Sequence, residues 1–139
     1  MIIRGDVGGT TATRAVARVD TIFNATAFTG AQAIDSTPID MGMAPSRLIL
    51  EIVSTGTPTG TYTIVGSNQY DPVANTGATF VTQSAAATPA FPVPAGAGAQ
   101  TMHAVFNTNA SGQGRWVRLR YTNTSGTGTL SAYAFVAPV

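Results

Sequence analysis

The residues in this 139-residue chain that could do chemistry begin near the N-terminus. Gly5-Asp6-Val7-Gly8-Gly9-Thr10-Thr11 joins glycines, through which backbone amides can approach a phosphate, to a carboxylate able to serve a metal ion. The single histidine, His103, is the one side chain whose ordinary pKa lies near neutrality, and nucleophilic catalysis would need it beside a hydroxyl. It lies between Met102 and Ala104 in an alternating stretch, and the abundant serines and threonines select no partner for it. The carboxylates Asp6, Asp20, Asp35, Asp40, Glu51 and Asp71 are scattered, without the Asp-x-Asp-x-Asp spacing of a calcium loop. With no cysteine there is neither a disulfide nor a thiolate ligand for zinc, which suits a reducing compartment. These residues predict no catalytic side chains, no cofactor and no metal site, and therefore a protein that is not an enzyme.

The glycine-rich segment resembles the phosphate-1 loop of sugar kinases and actin-like ATPases. That fold needs two lobes and a second nucleotide-binding segment, which a chain of 139 residues poor in helix-forming sequence does not build. The glycines read as a flexible turn. The overlapping Arg4-Gly5-Asp6 spells an integrin-recognition tripeptide, but three residues carry too little information to specify a partner.

Binding through surfaces is left, and composition says of what kind. Charged residues make up 9% of the chain, against about 25% in typical domains, and the formal net charge is +1. A nucleic-acid binder needs a basic face to displace counterions, so the expected partner is protein. All seven basic residues are arginine, the side chain suited to planar, bidentate contacts at interfaces. Met1 to Asp6 lacks the apolar core of a signal peptide, and no window approaches a membrane span, which predicts a soluble protein with no membrane partner. The Asn-x-Ser/Thr sequons at Asn24, Asn109 and Asn123 then read as chance in a Thr-rich chain.

The elements that must carry such surfaces are strands. Glycine, proline and threonine interrupt the chain too often for long helices, and β-branched residues recur between the breaks. Arg47 to Val53 places Leu48, Leu50 and Ile52 on one face and Ile49, Glu51 and Val53 on the other. After the turn region Ser54 to Gly60, Thr61 to Ser67 reads as the returning strand of a hairpin. Arg115 to Thr122, the turn Ser125-Gly126-Thr127-Gly128 and Thr129 to Val136 make a second pair. In its first strand Val117, Leu119 and Tyr121 lie opposite Trp116, Arg118 and Arg120. Trp116 is either a packing residue of that second face or an interface anchor. Tyr62, Tyr121 and most of the phenylalanines are assigned to the core. Thr101 to Asn107, Ile34 to Met41 and Thr79 to Gln83 supply further strands.

Ser84 to Ala99, holding Pro89, Pro92, Pro94, Gly96 and Gly98, is too interrupted for a ladder and reads as a long surface loop. Thr10 to Thr29 admits either a short helix, from the spacing of Val16, Val19 and Phe23, or an extended arm. The expected architecture is all-β, an antiparallel β-sandwich or jelly roll over residues 30–139, with residues 1–29 as an N-terminal arm or first element.

Ala31-Gln32-Ala33-Ile34-Asp35-Ser36-Thr37-Pro38-Ile39-Asp40-Met41-Gly42 and Arg115-Trp116-Val117-Arg118-Leu119-Arg120-Tyr121, with the turn and aliphatic strand that follow, resemble in order and spacing the cement (decoration) proteins of short-tailed phages, of the Bordetella-phage type. The similarity runs over roughly residues 30 to 137. It implies a jelly roll on the outside of an icosahedral shell, tying neighbouring capsomers together as a symmetric oligomer. The expected partners are the major capsid protein and a second copy, a homodimer with a trimer as the alternative, paired through Arg115 to Thr122 or Ser84 to Ala99. The expected locations are the outer capsid surface and, during assembly, the host bacterial cytoplasm. The competing function is a sugar- or receptor-binding module on a virion or cell surface. Candidate protein-contact residues are Arg4, Arg14 and Arg18 in the arm, Phe91 in the loop, and Trp116, Arg118 and Arg120 on the strand. Part of the arm is expected to order on contact with a capsid subunit or sister chain, its arginines meeting acidic or carbonyl groups.

Overall fold

Strands that are apolar on one face must bury that face against another layer, and here two sheets do so. A computed structural model describes residues 19–42, 46–75, 80–82, 91–92, 98–107 and 115–138, with the backbone alone at 46, 81–82, 91–92, 106–107 and 138. The strands are β1 (Asp20–Thr29), β2 (Gln32–Asp35), β3 (Ile39–Asp40), β4 (Ser46–Ser54), β5 (Thr59–Ser67), β6 (Val81–Thr82), β7 (Phe91–Pro92), β8 (Gln100–Asn107), β9 (Trp116–Ser125) and β10 (Thr127–Pro138). They form two antiparallel sheets packed as a β-sandwich, and among the described residues there is no helix. The four-stranded sheet has the order β1-β10-β4-β8. The six-stranded sheet has the order β2-β9-β5-β6, with β3 also on β9 and β7 also on β5.

The core follows the period-two alternation. Leu48, Leu50 and Ile52 of β4 and Leu130, Ala132 and Ala134 of β10 face Tyr62 and Ile64 of β5 and Val117, Leu119 and Tyr121 of β9, all buried. Tyr62 and Tyr121 stand opposite each other with ring centroids 5.1 Å apart, and Phe28 meets Tyr121 edge-on at 5.2 Å from the other sheet. At one end of this layer Asn123 is buried as a polar hub. Its Oδ1 accepts from the Tyr121 hydroxyl at 2.6 Å and the Thr59 amide at 3.2 Å, and its Nδ2 donates to the Gly30 and Gly126 carbonyls at 2.7 and 3.3 Å.

Both expected hairpins are corrected. β4 and β5 lie in different sheets, as do β9 and β10; the pairs are β4 with β10 and β5 with β9. Residues 55–58 and the turn at Gly126 are therefore arches between layers. They let the apolar faces of consecutive strands confront each other across the core, which a hairpin within one sheet would not. The arches interlock: the Thr55 and Thr57 amides donate to the Thr129 and Thr127 carbonyls at 2.9 and 2.8 Å, and the Thr55 and Thr129 hydroxyls lie 2.7 Å apart. Gly126 has φ +89°, and a Cβ there would stand 1.9 Å from the Thr57 carbonyl oxygen.

Edge strands hold the other departures. From Asp35 to Ile39 the chain takes four steps while β9 takes three, from Arg120 to Val117, a bulge that makes β2 and β3 one interrupted strand. Ser36 supplies the lost ladder bond, its Oγ accepting from the Leu119 amide at 2.9 Å. Within the expected loop, Phe91–Pro92 pairs with Tyr62 and Thr61, a short ladder on an edge, where a proline is tolerated. Asp20–Thr29 is neither helix nor free arm: it is β1, with Ile22 and Phe23 buried. The expected arm residues 1–18, with Arg4, Arg14, Arg18 and the glycine-rich segment, lie outside the described residues. The phenylalanines divide: of the four whose side chains are described, Phe23 and Phe28 are buried, while Phe80 and Phe135 are half-buried outside the core cluster.

Candidate interaction surfaces

Alternation on β9 turns Trp116, Arg118 and Arg120 to the outside of the six-stranded sheet. Two of the arginines that border this face are tied by bidentate pairs. Arg120 Nε and Nη2 donate to Asp35 Oδ1 and Oδ2 at 2.6 and 2.7 Å, and Arg115 Nε and Nη2 donate to Asp40 Oδ1 and Oδ2 at 2.9 and 3.0 Å. The bonds from Arg115 hold the Asp40 carboxyl below the usual carboxylate range. The bonds to Asp35 raise the Arg120 guanidinium further above its ordinary value.

Arg118, between them, has aromatic neighbours instead. Its guanidinium carbon lies 4.5 Å from the Phe80 ring centroid and 6.0 Å from that of Tyr70, and its buried Nε makes no hydrogen bond. Tyr70 also packs edge-on against Trp116 at 5.1 Å and against Phe80 at 5.7 Å. The Tyr70 segment is held locally, with Asp71 Oδ1 accepting from the Val73 and Ala74 amides and the Tyr70 hydroxyl donating to Asn75. Val65, opposite Arg118, is fully buried although it points away from the core. The result is a preorganised patch of one indole, one phenol, one phenyl and a stacked guanidinium, flanked by neutralised ion pairs.

The outside of the four-stranded sheet is different in kind. Ile49, Glu51, His103, Tyr133 and Phe135 together with Val19 line a shallow depression of about 230 Å³. Val19 is 61% exposed and Val105, on the same face, 57%. His103 stands opposite Glu51, with Nε2 3.1 Å from Glu51 Oε2. Apart from this pair and the Tyr133 hydroxyl the lining is apolar, so it suits protein contact better than proton transfer. Among the described residues no group of three His, Cys, Asp or Glu side chains is placed to hold a metal ion.

Of the candidate residues, then, Trp116, Arg118 and Arg120 share one face. Phe91 lies in β7 two strands from β9, its side chain outside the described residues. Sequence reasoning missed Tyr70, Phe80, Asp35 and Asp40. The signal available for Tyr70 was an aromatic residue in the turn-forming run Ser67-Asn68-Gln69-Tyr70-Asp71-Pro72. It also missed the face formed by Ile49, Val105 and Phe135, whose signal was a strand, Arg47 to Val53, aliphatic on both sides. Of the sequons, Asn123 is buried and engaged, which closes it to glycosylation, and Asn109 lies outside the described residues. Comparison with family models, with curated proteins and with solved structures gives no match.

Proposed function

We propose that this chain is a non-enzymatic structural protein that binds the outer surface of a phage icosahedral shell and staples neighbouring capsomers, with the major capsid protein as partner. The observation that carries the reading is the Trp116–Tyr70–Arg118–Phe80 patch, a rigid aromatic and guanidinium surface of the composition that dominates binding energy at protein interfaces. The resemblance of residues 30–137 to cement proteins supplies the shell as the protein surface in question. Strand order adds to it. Counting β2 with β3 and β6 with β7, the eight strands alternate as 1-8-3-6 in one sheet and 2-7-4-5 in the other, which we read as a jelly roll. In this reading the protein is a homodimer, with a trimer as the alternative. It resides on the outer capsid and, during assembly, in the host bacterial cytoplasm. A staple that touches several subunits gains effective concentration for each later contact, so modest patches suffice.

A second reading, a sugar- or receptor-binding module on a virion or cell surface, draws on the same three rings. Sugar platforms present flat, coplanar ring faces, whereas these rings meet at 59° and 65°. Co-sedimentation with purified shells separates the two: near-stoichiometric copy number is expected for a cement protein, and a handful of copies per particle with glycan binding would overturn it. Trp116→Ala and Arg118→Ala should weaken shell binding by roughly 10-fold or more each while the free protein remains folded by circular dichroism.

A further inference from the structure

The outer face of the four-stranded sheet is ordered in rows that cross the strands. Phe135, Ile49 and Val105 stand opposite one another on β10, β4 and β8 and form an apolar row. Two residues along β4 in one direction the row is Ala137, Arg47 and Asn107; two residues in the other it is Tyr133, Glu51 and His103. A basic row and an acidic row thus flank an apolar centre, and Arg47 and Glu51 are both exposed.

Such a face is complementary to itself under one particular symmetry operation. If a second copy is turned by half a revolution about an axis along the central row, Phe135, Ile49 and Val105 each meet their own counterparts. Arg47 of each copy then stands over Glu51 of the other, and the large Tyr133 over the small Ala137, each twice by symmetry. A two-fold axis along the strands would instead set Arg47 on Arg47 and Glu51 on Glu51, which like-charge repulsion disfavours. The depression bordered by Glu51 and Val19 lies beside the central row, where the incoming Arg47 arrives, and its carboxylate has acceptor sites beyond the one directed at His103. Covering Val105 and Val19 removes from water two of the three exposed large hydrophobic side chains among the described residues.

We infer that this face is a two-fold self-association surface, occupied by a second copy of the chain and registered by reciprocal Arg47–Glu51 pairs across an axis through Ile49. The inference deepens the homodimer reading above and leaves the β9 patch, on the opposite sheet, free for another protein. It is tested on the full chain by sedimentation equilibrium. The wild type is expected to weigh twice its 14.2 kDa chain mass at micromolar concentration. Arg47→Glu alone and Glu51→Arg alone should each raise the dimer dissociation constant by roughly 10-fold or more, and the double variant should restore it. Val105→Glu, which sets two carboxylates together near the axis, should give monomers. A wild type that is monomeric at high micromolar concentration would overturn the inference, as would a dimer indifferent to both single reversals or one that the double variant fails to restore. A monomer that still coats shells would sink this inference and spare the cement reading. A reversal-sensitive dimer with no affinity for shells would do the opposite.

Discussion

Asn123 shows what one buried polar side chain does in a chain with few charges. It satisfies the Tyr121 hydroxyl and the Thr59 amide on one side and two carbonyls on the other, at the point where both sheets end. Asn123→Ala deprives the buried Tyr121 hydroxyl of this acceptor and removes the part-buried bonds to the Thr59 amide and the Gly30 carbonyl, so a loss of about 2–4 kcal/mol is expected from urea denaturation. Asn123→Asp should cost more, because a carboxylate cannot donate to the Gly30 and Gly126 carbonyls and would be charged in a buried place. Ser36→Ala removes the acceptor that replaces a ladder bond at the bulge, for about 1–2 kcal/mol. The Asp40–Arg115 pair acts at the surface and is read by pH. Because the folded carboxyl titrates lower than it does in the unfolded chain, the pair's contribution is complete above the ordinary carboxylate range. It is lost as pH falls through the folded value. The stability gap between wild type and Asp40→Asn should therefore be present at neutral pH and vanish in strong acid, measured as the difference in urea midpoints. A gap that persisted in acid would assign the effect to packing.

Between residues and the whole fold, the arches decide the architecture. Gly126 cannot accept a side chain: its φ is positive and the Thr57 carbonyl occupies the space. Gly126→Ala should cost about 3 kcal/mol or more. Gly30→Ala, also at positive φ but with nothing within 4 Å of its Cβ position, should cost about 1 kcal/mol, which isolates the steric part when the two are compared by thermal melting. The same arches mark where the sequence stopped being legible. Alternation sorted β4 and β9 into two faces residue by residue without saying which is buried, because Leu48, Leu50 and Ile52, or Val117, Leu119 and Tyr121, need only the two-residue period of a strand, while the choice between faces needs the other sheet. Pairing does not follow from period. Two strands joined by a short Gly/Thr turn fit a hairpin within a sheet and an arch between sheets equally well, and only the demand that both apolar faces share one core selects the arch. Thr10 to Thr29 was misleading in its own way, since Ile22 and Phe23 are buried side by side at a place where the register of β1 on β10 shifts, which breaks the alternation a strand is recognised by.

At the scale of the molecule the sandwich presents two unlike exteriors, aromatic and guanidinium on one sheet, aliphatic with a self-complementary charge order on the other. Half of the first was readable: Trp116, Arg118 and Arg120 share a strand face by alternation, while Tyr70 and Phe80 reach them from a segment more than 30 residues away, a contact no local pattern encodes. The long reach of the pairing has a further effect. β10, C-terminal to every other described strand, lies in the interior of its sheet between β1 and β4, and β9 lies likewise in the interior of the other. Ser46 pairs with Pro138, and Thr29 with Thr127. Before β10 is available β1 has no sheet partner among the described strands and β4 has only β8, so the four-stranded sheet cannot close until β10 joins, with the slow, millisecond-to-second kinetics of non-local topologies. A chain cut short before β10 leaves β1 unpaired and one edge of β4 bare, apolar and open to proteolysis, so the arrival of β10 is itself the checkpoint for a usable subunit.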